Sequence, residues 1–137
     1  MIFKTSIDKI QKESQIETII GKPYSFFQKI KYGIYGSPKY KLVDIFPENI
    51  SLTKSNDLIA CNFEIKKNGL AMYFRYLSDE YALVGRYNQI TFQTSKNYFE
   101  LQINGVSVKA EILDKKAHLN FLQRYFKFSA QNFETIT

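Results

Sequence analysis

The chain is 137 residues long, 45% hydrophobic and 16% aromatic, a composition that excludes a disordered segment and suits one domain with one core. A lone cysteine, Cys61, excludes an internal disulfide framework and metal sites built from several thiolates, and fits a reducing compartment. The net charge of +6 is regional: up to Lys41 eight lysines stand against three acidic residues, whereas Leu42 to Ile112 holds seven basic and eight acidic ones.

Residues 1–39 are expected to form a helical and irregular segment. Within it, "SQIETII" opens on a capping box of Ser14 and Glu17, and "GKP" from Gly21 to Pro23 supplies a helix stop. A short helix is expected there, after a turn around Ile7 and Ile10. "YSFFQKIKYGIYGSP" fits either a further helical stretch or an extended arm, because its periodicity suits both. No run of about 18 apolar residues occurs that would read as a membrane span.

Antiparallel strands are expected over residues 40–112. "KYKLVDIF" is β-prone, Pro47-Glu48-Asn49 can turn the chain, and "ISLTKS" alternates apolar and polar positions. In "LIACNFEIKKNGLAMYFRYLS", an Asn68-Gly69 type I′ turn would set Ile65 opposite Met72, Phe63 opposite Phe74 and Cys61 opposite Tyr76 on one face. The other face, with Asn62, Glu64, Lys66, Ala71, Tyr73 and Arg75, would meet solvent. "YALVGRYNQITFQTS" has the length of a broken or bent strand, with Gly85 at the bulge or bend and Ile90 and Phe92 inward. Around Asn104-Gly105 the pairs are Ile103 with Val106, Leu101 with Val108 and Phe99 with Ala110 inside, and Gln102 with Ser107 and Glu100 with Lys109 outside.

The period then changes to that of a helix over residues 114–130. Asp114 is a suitable N-cap, and Leu119, Phe121, Leu122, Tyr125, Phe126 and Phe128 gather on the apolar half. Fold class is therefore α+β: a bent antiparallel sheet or partly open barrel of about seven strands, a C-terminal amphipathic helix and a short helical N-terminal segment.

Catalytic patterns are missing from the string. His118 is the only histidine, and there is no Gly-rich phosphate loop, nucleophile elbow or cluster at metal-ligand spacing. Cys61 on an inward strand face behaves as a small hydrophobe, and the carboxylates of Glu100 and Glu111 sit on a wet outer face. The expectation is a chain that is not an enzyme and that carries no cofactor and no metal. The suggestive stretch is "GKPYSFFQKIKYGIYGSPKYK", with five lysines, six aromatics and no acidic residue. From it, Lys22, Lys29, Lys31, Tyr32, Tyr35, Lys39 and Lys41 are candidate ligand-binding residues. Such a set suits an anionic membrane surface or a single-stranded nucleic acid, while covering of the core by its rings is the plainer alternative.

About seven antiparallel strands followed by one amphipathic helix resemble the pleckstrin-homology-like fold, in its bacterial and GRAM-like versions. "YNQITFQTSKNYFELQING", then "VSVKAEI" and "AHLNFLQRYF", are similar to the order of a K-x-Y-x-x-L strand, last hairpin and helix in those families. The likeness spans Tyr40 to Phe128. It implies a noncatalytic cytoplasmic module, in some settings peripheral to a membrane, that binds lipid headgroups, peptides or protein partners. Phosphoinositide-binding versions carry basic residues at their first hairpin loop; here "FPENIS" has Glu48 and none, so no binding residue carries over. A protein partner or an anionic surface is the leading expectation, with single-stranded nucleic acid on segment 21–41 or a barrel holding a small apolar ligand as alternatives.

Overall fold

In the computed structural model the described residues are 2–4, 9–21, 37–46, 59–76 and 79–136, with side chains described over 14–21, 37–46, 59–76 and 79–129. The strands among them are β1 (Ile2–Lys4), β2 (Tyr40–Phe46), β3 (Ala60–Ile65), β4 (Gly69–Tyr76), β5 (Asp79–Arg86), β6 (Ile90–Thr94), β7 (Tyr98–Ile103) and β8 (Val106–Ile112). Helix α1 spans Lys9–Ile20 and helix α2 spans Lys115–Ile136. All pairings are antiparallel, in the order β1-β5-β4-β3-β2-β8-β7-β6. The sheet is open, with β1 and β6 at its edges. The expected "ISLTKS" strand lies outside the described residues.

Strand β2 joins a meander of β2 to β5 to a meander of β6 to β8. Among the described residues it pairs with β3 through Tyr40 and Lys41, with the Leu42 N–H donating to the Ile59 carbonyl at 2.7 Å just before β3, and it follows β8 along its length with a bulge between Leu42 and Asp44. A bulge bends its strand and adds local twist. The sheet curls so far that a Cβ on Gly85 of β5 would come within 2.6 Å of the Ile103 Cγ2 on β7. Gly85 itself is paired with Leu70. The expected bend is instead a 3₁₀ turn at Tyr87–Gln89, tied down by the Asn104 N–H donating to the Gln89 carbonyl at 2.9 Å.

The β7–β8 hairpin has the expected register at every pair, and Asn104 (φ 49°) and Gly105 (φ 84°) both adopt the left-handed region that a type I′ turn requires. The β3–β4 hairpin departs from expectation. Ile65 pairs with Leu70 and Phe63 with Met72, so the loop is Lys67-Asn68 and Gly69 belongs to the strand. The slip moves each partner by two positions, which keeps every side chain on its expected face. Its physical reason is α1: a Cβ on Gly69 would stand 2.1 Å from the Gly85 carbonyl oxygen and 2.7 Å from Ile20 Cγ2. The glycine serves close packing.

Two apolar clusters line the two faces. On the concave side, Phe121, Leu122, Tyr125 and Phe128 of α2 cover Phe63, Phe99 and the rest of the main core. On the other side, Ile16 and Ile20 of α1 cover Ala71, Ala82 and Val84. The outer face of β4 is therefore not solvated as expected; small side chains there let a helix approach. Asn62 and Arg75 remain exposed, and Lys66 is covered while keeping an ion pair to Glu64 at 3.4 Å. Helix α1 begins five residues before Ser14, so Ser14 is not its cap; its carbonyl accepts from Thr18 Oγ1 instead. The stop at Gly21 holds: φ is 87°, its N–H donates to the Glu17 carbonyl, and the Asn68 N–H caps the Ile20 carbonyl. Asp114 caps α2 through its carboxylate, which accepts from the Ala117 N–H at 3.0 Å. Leu119 and Phe126 are each 55% exposed, against expectation.

Candidate binding surfaces

Of the seven residues singled out from the sequence, Lys22, Lys29, Lys31, Tyr32 and Tyr35 lie outside the described residues. Lys39 and Lys41 are exposed, and the Lys41 ammonium stands 4.0 Å from the Glu111 carboxylate. Tyr40, between them, is wholly buried and belongs to the core. The described end of the basic segment thus alternates one anchoring ring with two surface cations.

That ring leads to His118. The imidazole is 2% exposed; its Nδ1 is 2.7 Å from the Tyr40 hydroxyl and its Nε2 is 2.9 Å from Thr94 Oγ1. Phe99 and Tyr40 pack edge-on against it. Burial lowers the His118 pKa, and burial raises that of Cys61 to about 12. A thiol held protonated and covered is a poor nucleophile. No group of three or more His, Cys, Asp or Glu placed to hold a metal occurs among the described residues. Rings pack under α2, with Phe63, Phe99, Tyr40 and Phe121 at centroid separations of 5.4 to 6.0 Å.

Two surfaces stand out. The first is the flank where β6 meets α2. No described residue pairs with the outward edge of β6, and Thr91, Gln93 and Thr94 are exposed. Along this edge α2 runs in contact: His118 meets Thr94, and Phe92 lies 5.3 Å from both Tyr125 and Phe126. Leu119 and Phe126, seven residues apart on the helix, share one side and leave an apolar strip beside the unpaired backbone.

The second is a cleft of about 570 Å³ on the outer face of β2, β8, β7 and β6. Two cross-strand rows build it. Asp44, Lys109, Glu100 and Gln93 are register partners in sequence across the four strands, and so are Phe46, Ser107, Gln102 and Thr91. Glu100 and Lys109 face each other as expected, yet they form no ion pair; the Lys109 ammonium lies 4.4 Å from the centroid of the Tyr98 ring. Phe46, at the end of its row, is 68% exposed.

Neither surface was singled out from the string. The Leu119 and Phe126 spacing was visible, but which strand becomes an edge depends on sheet order. The outer residues of the last hairpin read as ordinary solvated surface until β2 and β6 brought two further strands beside them. No family model matches the chain, and no curated protein or solved structure is significantly similar to it.

Proposed function

We propose that the chain is a noncatalytic binding module of the pleckstrin-homology-like type, working in the cytoplasm, that takes an extended segment of a protein partner along β6. The observation that carries this reading is the edge of β6, which no described residue pairs, lying beside the exposed Leu119 and Phe126 of α2. An edge strand presents N–H and C=O groups that another chain can complete, and alternate side chains of an added strand fall on opposite faces. One set would lie on the Leu119 and Phe126 strip. Each apolar side chain fully covered there would contribute about 1.5–3 kcal/mol.

Two meanders joined through β2, with one amphipathic helix across the concave face, support the fold resemblance. The anionic-surface reading draws on Lys39 and Lys41 among the described residues, and Lys41 already has a carboxylate neighbour. No described helix is long and apolar enough to cross a membrane.

The test is selection of extended peptides from a random phage-displayed library against the intact chain. Selected peptides are expected to bind wild type and to lose binding to the Leu119→Asp/Phe126→Asp variant, whose exposed substitutions leave the fold intact by circular dichroism. Equal binding to both proteins, or a library that yields no binder, contradicts the assignment.

A further inference from the structure

We propose that the outer-face cleft is a binding site for a neutral oligosaccharide; it shares Thr91 and Gln93 with β6 but not the Leu119 and Phe126 strip of α2. Its size is right for a small ligand: about 570 Å³ falls within the roughly 300–1,000 Å³ of typical ligand clefts. Four strands at a spacing of about 4.8 Å make a floor about 14 Å across, long enough for more than one pyranose ring.

The lining chemistry selects among ligand classes. Asp44 and Glu100 outweigh the one cation, Lys109, so a phosphate or an anionic lipid headgroup is disfavoured. Thr91, Gln93, Gln102 and Ser107 are neutral, and each both donates and accepts. A cationic ligand, which only donates, would leave half of that capacity idle. A sugar hydroxyl donates and accepts in the same way, and the two carboxylates add acceptors for its protons.

Two further features fit. Lys109 stands in register between Asp44 and Glu100, but its ammonium is drawn onto the Tyr98 ring, which leaves both carboxylates free of an ion pair across the middle of the cleft. Phe46 presents an exposed ring at one end of its row. The C–H face of a pyranose packs on the electron-rich face of such a ring, and this gives the site an apolar contact beside its polar ones.

The experiment is titration of the ¹⁵N-labelled full chain, followed by amide chemical shifts, with cellohexaose, maltohexaose and hexa-N-acetylchitohexaose in turn, and with hexalysine as a cationic comparison. At least one neutral hexasaccharide is expected to shift amides of β7 and β8 in a saturable way. Phe46→Ala and Glu100→Gln, both exposed positions, should each weaken that sugar by about tenfold or more. The Leu119→Asp/Phe126→Asp variant should bind the sugar as wild type does, which separates this proposal from the peptide site. Absence of saturable shifts with all three sugars overturns the proposal. So does a response confined to hexalysine, or sugar binding unchanged in both cleft variants.

Discussion

Both ring nitrogens of His118 meet hydroxyls, of Tyr40 and Thr94, and a hydroxyl can donate or accept, so the hydrogen bonds alone would tolerate either neutral tautomer or the imidazolium. Burial breaks the tie toward the neutral form. Its native pKa lies below the unfolded value of about 6.5. The unfolded chain therefore binds more protons in this window, and stability falls as pH drops below about 6.5 toward the native pKa. As the only histidine, it gives an unobstructed NMR readout: the imidazole should titrate below 6.5 in the folded chain, and denaturant midpoints should fall from pH 7 to pH 5. A His118→Gln variant should lack the histidine component of that slope. The partners of His118 come from Tyr40 and Thr94, 78 and 24 positions away, which no local pattern encodes.

At the scale of elements, the last hairpin was fully legible because Asn104-Gly105 and the alternation around it agree on one register. In the β3–β4 hairpin the same dipeptide signal, Asn68-Gly69, misled because Gly69 answers a tertiary demand. The two glycines should respond differently to alanine. Gly105→Ala meets no neighbouring atom, only the left-handed backbone, and should cost about 1–2 kcal/mol by urea denaturation. Gly69→Ala drives a methyl into the Gly85 carbonyl and Ile20, so it should cost about 2–3 kcal/mol or more and loosen α1 as well. In α2, helical periodicity found the apolar side, but of the six residues expected there the concave sheet buries Phe121, Leu122, Tyr125 and Phe128 and leaves Leu119 and Phe126 exposed. Leu119 and Phe126 lie past the last strand. The residues left over at that boundary are the ones the proposed partner would cover.

On the scale of the whole molecule, β2 decides what is inside and what is reachable. It pairs with β3 at one end and runs along β8 for its length, so two meanders become one curled sheet with α2 in its concavity. The core depends on that closure: Phe121→Ala, at a site 1% exposed, should cost about 3–5 kcal/mol in urea unfolding. The α+β class and the described strands between Tyr40 and Ile112 were readable from alternation and turn residues, whereas β1, Ile2–Lys4, falls in the segment read as helical and irregular. Strand order was not, since it is set by which faces and ends find each other after collapse, and the place of β6 at the edge of the described strands and the four-strand outer cleft are consequences of order. The basic aromatic segment drew attention as a composition. Among its described residues, Tyr40 is structural and Lys41 faces Glu111.

Strand addition at β6 is tested by amide hydrogen exchange of the chain with and without a selected peptide. If the partner adds a strand, amides within Ile90–Thr94 should gain about tenfold or more protection on binding, while β4 and β5 stay unchanged. Protection that spares β6 and falls elsewhere would contradict the account.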